Sequence, residues 1–196
     1  MKKYLLIIAL VAISIGSVSA QVVWGARVGF SKPTMTVSSG DSWDGNFGFE
    51  GGPVLYYSLK DNWYINSGLQ VSFKKFTDEG DGWKDEFSMI YADIPIYAGY
   101  AFKVGNASLY AQAGPYIGVK LTEKWTWDDD YYGGGTEPSN NMSPINMGLG
   151  VMLGINIQKF KIEAGYQNGL TNILKDTEGD FSIKINSIFL GVSYIF

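Results

Sequence analysis

Every second residue at the end of this chain is apolar. Ile188, Leu190, Val192, Tyr194 and Phe196 share one parity, and Phe189, Gly191, Ser193 and Ile195 fall between them. Side chains two apart lie on one face of a strand, so this period commits the segment to sheet and gives it a continuous apolar face. The period returns throughout. Trp24, Ala26, Val28 and Phe30 alternate with Gly25, Arg27 and Gly29. Ile145, Met147, Leu149, Val151, Leu153 and Ile155 oppose Asn146, Gly148, Gly150 and Gly154. Ile162, Ala164 and Tyr166 oppose Glu163, Gly165 and Gln167.

Eight segments carry this pattern. They run over Val22–Lys32, Asn46–Leu59, Trp63–Phe76, Phe87–Phe102, Ala107–Leu121, Ser143–Ile157, Lys161–Asn168 and Ser182–Phe196. Their connectors alternate in length. Lys60-Asp61-Asn62, Lys103 to Asn106 and Gln158-Lys159-Phe160 are short. Pro33–Gly45, Thr77–Glu86, Thr122–Met142 and Gly169–Phe181 are long and polar. An even strand count, with short turns on one rim and long loops on the other, is the pattern of a transmembrane barrel. The expected fold is all-β, an eight-stranded antiparallel up-and-down transmembrane β-barrel over residues 21–196, with both termini on the short-turn rim.

Parity alone does not say which face is outside, because a soluble ligand-binding barrel puts its apolar face inward. The content of the polar face, together with the terminal Phe and the loop pattern, favours the membrane. It holds Gly and Tyr, and Gly suits a crowded interior where side chains meet across a narrow barrel. Low mean hydropathy fits too, since only alternate strand residues meet lipid.

The N-terminus reads as an export signal. Lys2 and Lys3 precede an apolar core from Tyr4 to Ile15, and Val18-Ser19-Ala20 makes a small-residue cleavage site. Residues 1–20 are expected to be removed after Ala20. The remainder carries 13 basic and 19 acidic residues, which argues against a nucleic-acid partner. The chain has neither His nor Cys. Imidazole bases, thiol nucleophiles, disulfides and His- or Cys-ligated metals are therefore excluded. No cofactor is expected.

Four stretches in order carry a family resemblance: Tyr91-Ala92-Asp93-Ile94-Pro95-Ile96-Tyr97, Ala113-Gly114-Pro115-Tyr116-Ile117-Gly118, Gly165 to Ile173, and Gly191 to Phe196. Together they resemble the PorT-like outer-membrane β-barrels, known mainly from Bacteroidetes. Asn146 departs from the pattern, where an Asp is expected. The resemblance implies the outer membrane of a Gram-negative envelope, with membrane lipid as partner. In that class the final aromatic strand, here Tyr194 and Phe196, is the assembly signal read by the barrel-assembly machinery. The founding member supports secretion of other proteins.

Two constellations are candidates for function. The inward parity carries Arg27, Lys74 and Lys120 against Glu50, Asp93 and Glu163. This is either an ion path or catalytic carboxylate pair, or a salt-bridged polar core that plugs the barrel. An eight-strand lumen is just filled by side chains and buried charges must be paired, which favours the plug. The long loops place Trp beside acids: Trp43 before Asp44, Trp83 between Asp81 and Asp85, and Trp125 and Trp127 ahead of Asp128-Asp129-Asp130 with Tyr131 and Tyr132. These are candidates for an extracellular ligand or protein, or for a divalent cation. A solvated loop or an interfacial girdle uses the same residues. The Asp triplet lacks the spacing and Gly of a calcium loop. Pro53 and Pro95 predict local bends, and Trp63 fits the periplasmic girdle. The expected function is that of a small non-enzymatic barrel, structural or surface-interacting. The alternatives are a narrow porin-like channel and an accessory role in secretion.

Overall fold

The structure, a computed structural model, describes residues 22–38, 42–129, 131, 133–139, 142–175 and 181–196, without the side chains of Trp43 and Asp44. The expected signal peptide and Tyr132 lie outside the described residues. Among the described residues eleven strands form one antiparallel sheet: β1 (Val22–Val37), β2 (Ser42–Asp44), β3 (Gly48–Ser58), β4 (Trp63–Gly68), β5 (Gln70–Gly80), β6 (Trp83–Val104), β7 (Ala107–Asp129), β8 (Gly135–Pro138), β9 (Ile145–Ile157), β10 (Phe160–Gly169) and β11 (Ile183–Ile195). β1 pairs with both β3 and β11, so the sheet closes on itself. β4 and β5 share one position, which makes the ring eight-stranded, while β2 and β8 pair only with the overhanging ends of β1 and β7. Closure leaves no strand edge in lipid, where each unpaired backbone group would cost several kcal/mol.

The apolar parity faces out. Val28 is 68% exposed, Ile188 63% and Leu153 67%, while their neighbours Arg27, Ser187 and Met152 are buried. This settles the choice of solvent in favour of lipid, because a water-facing surface of Val, Leu, Ile and Phe has no compensating polar cover. The outward face turns polar at Lys75 on β5, Ser88 on β6 and Thr122 on β7. An aromatic belt rings the short-turn end. Trp63 meets Tyr100 edge-on at 5.2 Å and Tyr100 meets Phe102 at 4.7 Å. Phe160 meets Tyr194 at 5.2 Å and Tyr194 meets Phe196 at 5.7 Å. The Phe196 amide donates to the Trp24 carbonyl at 2.9 Å, so the chain end is held to the first strand.

The interior explains the glycines. Tyr64 stands opposite Gly99, Tyr110 opposite Gly154, Tyr116 opposite Gly148 and Phe189 opposite Gly165. In each pair the ring covers the glycine so closely that no Cβ would fit. Large and small residues thus alternate across neighbouring strands to fill a narrow bore.

Three features differ from the expected elements. First, Trp63–Phe76 is two strands, broken at Leu69. Pro53 on β3 and Pro95 on β6 stand opposite the junction from either side, and neither has an N–H to donate. Second, two of the expected long loops are largely ladder. β5 and β6 stay paired up to Gly80 and Trp83, around an Asp81-Gly82 turn in which Gly82 has φ 82°. β7 runs on to Asp129 and folds back through β8. Third, β7 shifts register against β6 next to Ile90 and Tyr91. Leu121 is the extra residue, and beyond it the parity of β7 is reversed.

Candidate functional site: the lumen and the overhanging sheet

The lumen charges meet in clusters. Arg27 reaches Glu50 at 2.7 Å and Glu163 at 2.8 Å, with its guanidinium over the Phe189 ring. The Tyr110 hydroxyl donates to the other Glu163 oxygen at 2.6 Å. Higher up, Asp93 accepts from the Ser72 hydroxyl at 2.6 Å and from Lys74 at 3.4 Å. Lys74 also donates to Ser72 and lies over the Tyr91 ring. Arg27, Glu50, Lys74, Asp93 and Glu163 are thus brought together in two groups.

Lys120 stands apart from both. It pairs with Glu123 and donates to the Met142 carbonyl at 2.6 Å, while Ser139 donates to Glu123 at 2.7 Å. Glu123 lies in a segment that reads as loop in the sequence. The bulge at Leu121 turns it inward, to 3% exposure, and a bulge leaves no mark in the period. Lys161 is a fourth inward cation, 8% exposed. Its parity matches Glu163, but its place at a strand start next to a turn hides it.

A layer of apolar side chains closes the long-loop end. Met35, Val37, Phe76, Met89, Tyr91, Met142, Ile173, Ile183 and Ile185 form one buried cluster. Ile173 is fully buried there, although it belongs to the fourth connector. Asn172 holds it in place, accepting through its side-chain oxygen from the amides of Leu174 at 3.1 Å and Ile183 at 3.0 Å.

Above this layer β5 to β8 stand clear of the apolar band as a sheet. Because Phe87, Asp85 and Trp83 continue the inward parity of β6, they face the space over the mouth, opposite Trp125, Trp127 and Asp129 of β7. Trp125 stacks on Phe87 with the rings 5° from parallel and lies 5.1 Å from Trp127. Its indole N–H donates to Asp85 at 3.3 Å. Trp83, Asp85, Trp125, Trp127, Asp128, Asp129 and Glu137 line a depression of about 480 Å³. Tyr131 is 92% exposed and outside it. β2 pairs with β1 through Trp43 and Met35, and Trp43 is described in its backbone alone. On the opposite face, Glu86 bridges Lys75 at 2.8 Å and Lys84 at 3.0 Å. The hydrogen bond from Lys75, helped by that from Lys84, holds the Glu86 carboxyl below the usual carboxylate range, and its bond to Glu86 raises Lys84. Among the described residues no group of three acids is placed to hold a metal ion.

A family profile for the outer membrane protein beta-barrel domain matches residues 17–175. Among curated proteins no sequence matches the chain. Among solved structures the chain is similar to Neisserial surface protein A, at 16% identity over 88% of this chain and 97% of that one, with a TM-score of 0.49. It is similar to Ail, the attachment invasion locus protein of Yersinia pestis, at 17% identity over 90% and 99%, with a TM-score of 0.44. The outer membrane enzyme PagL is similar at 10% identity over 85% and 98%, with a TM-score of 0.42. With eight strands closed into a ring, an apolar outer face and a family match over most of its length, the chain belongs to the outer membrane protein beta-barrel domain family.

Proposed function

We propose that the protein is a non-conducting, non-enzymatic barrel that carries a recognition surface outside the cell. The PorT-like group is the branch its motifs resemble. On this reading the chain is exported by residues 1–20, cut after Ala20, and inserted by the barrel-assembly machinery through the strand ending in Tyr194 and Phe196.

One observation carries the proposal: the Trp83, Trp125 and Trp127 face lies above a lumen crossed by paired charges and topped by apolar side chains. Exposed aromatic rings are costly in water and are kept where they meet a partner. Flat indole faces beside Asp85, Asp129 and Glu137 suit a neutral carbohydrate. The rings take its C–H faces, and the carboxylates accept its hydroxyl hydrogens.

The test is a glycan panel probed with the refolded full chain. Saturable binding to neutral oligosaccharides that Trp125→Ala and Trp127→Ala both weaken supports the reading. Binding that ignores both substitutions, or none across the panel, overturns it. Recording in planar bilayers checks the lumen, where steady open-channel currents from the wild type would replace the plug with a pore.

A further inference from the structure

At the periplasmic end, Lys161 sits in a cage of three tyrosines. Its ammonium lies 3.9 Å from the Tyr56 ring centre, 4.1 Å from Tyr110 and 5.0 Å from Tyr64. Such contacts stabilise the cation but accept none of its three N–H bonds conventionally. The nearest carboxylate in sequence, Glu163, is occupied by Arg27 and by the Tyr110 hydroxyl. Among the described residues Lys161 has no ion pair, and no hydrogen-bond acceptor takes its protons.

The cage opens on a cavity of about 420 Å³ whose walls include the periplasmic turns at Asn62 and Gln158. Two residues of its wall carry a buried polar atom without a hydrogen-bond partner: Tyr64, 7% exposed, through its hydroxyl, and Asn156 through its side-chain oxygen. The rest of the wall joins the apolar Val23, Leu59, Trp63, Ala101 and Ile195 to the polar Ser58, Asn62, Ser108 and Gln158.

We propose that this cavity is a periplasmic binding site for a small monocarboxylate with an apolar or aromatic body. A single ammonium supplies one positive charge, which matches one carboxylate. The site lacks the guanidinium fork that recognises phosphate. The rings and Leu59 cover the apolar body and exclude strongly hydrated multivalent anions. The volume lies within the range of pockets for small ligands.

The proposal is independent of any extracellular ligand, because the apolar cluster and the Arg27–Glu163 layer separate the two ends. Its test uses the full chain, isotopically labelled and refolded in detergent micelles. The probe is 3-phenylpropionate, with 3-phenylpropanamide as its uncharged counterpart. Saturable shifts of the Asn62, Ser108 and Gln158 amide signals by the acid, and not by the amide, are expected. Lys161→Met should weaken the acid at least about tenfold, since a charge-assisted hydrogen bond is worth that much. Lys161→Arg should retain more affinity than Lys161→Met. Should Lys161→Met fail to fold, the comparison of acid and amide on the wild type decides alone. Equal shifts from acid and amide, shifts confined to the extracellular hairpins, no saturable shift, or unaltered affinity in Lys161→Met would each overturn the site.

Discussion

Arg27 on β1 reaches Glu163 on β10 at 2.8 Å, across the strand that lies between them. The side chain passes over Gly191 of β11, where a Cβ would stand 3.2 Å from the Arg27 Nε. One glycine therefore lets a single arginine gather carboxylates from two sides, Glu50 at 2.7 Å and Glu163. Both carboxylates are almost fully buried, so the arrangement tolerates no missing member.

Removing one partner strands the others. Glu163→Ala leaves Arg27 short of one carboxylate and Tyr110 without its acceptor. A broken buried pair costs about 3–5 kcal/mol when dry and less when water enters. Unfolding of the refolded barrel in detergent should show the order Glu163→Ala, then Glu50→Ala or Asp93→Ala, with Asp128→Ala near wild type. A loss for Asp128→Ala as large as for Glu163→Ala would contradict the network.

The covered glycines set a second expectation. At Gly154 a Cβ would collide with the Tyr110 ring and come 2.6 Å from the Ile162 carbonyl oxygen. Gly154→Val should lower stability by roughly 1–3 kcal/mol or more through overpacking. Gly105→Ala meets nothing nearby and pays only for its positive φ of 59°. Denaturant titration in micelles compares the two, and the barrel-wall substitution should be the more harmful.

At the chain end, deletion of Phe196 or Phe196→Asp should lower the amount of barrel inserted in cells. Phe196 is 72% exposed, so little packing is lost. A charge at the rim costs less than the ~2–4 kcal/mol of the midplane. The effect should appear in the rate of assembly rather than in the stability of inserted protein. Equal surface abundance for wild type and both variants counts against an assembly role.

The mouth offers a fourth measurement. Ile173→Asp puts a charge into an apolar cluster that has no partner for it. Limited proteolysis on whole cells should then cut near residues 170–175, while the wild type resists at the same protease dose. Resistance unchanged by the substitution would mean that Ile173 does not anchor this connector.

Acid should loosen the β5–β6 hairpin. Glu86 is held below its ordinary range by Lys75 and Lys84, so its folded value lies below its unfolded value near 4.3. Its contribution to folding is present above the unfolded value and disappears as pH falls through the folded one. Hydrogen exchange over Thr77–Glu86, corrected for intrinsic rates, should be flat from neutral pH to about 5 and rise below 4. Glu86→Gln should remove this step.

The barrel itself was legible, because its determinants are local. Period 2 from Trp24 to Phe30 and from Ile188 to Phe196 names the lipid face residue by residue, and the terminal pairing of Phe196 with Trp24 follows from closure. The overhanging sheet was less legible. Thr77–Glu86 holds one large apolar side chain, Trp83, so no alternation marks it, although Asp81-Gly82 is a hairpin signal present in the sequence. Glu123 was hidden by one extra residue at Leu121, which reverses parity without changing composition.

Sequence alone thus determined the eight-stranded ring and the two faces of each unbroken strand, since alternation along one strand needs no other strand to define it. Tertiary structure decided who meets whom. Arg27, Glu50 and Glu163 come from three strands, and Ile173 enters a cluster with Met35 and Met89 from far up the chain. Those contacts depend on the registers between strands and on closure of β1 with β11. Register and closure are relations between segments, and no single segment encodes them.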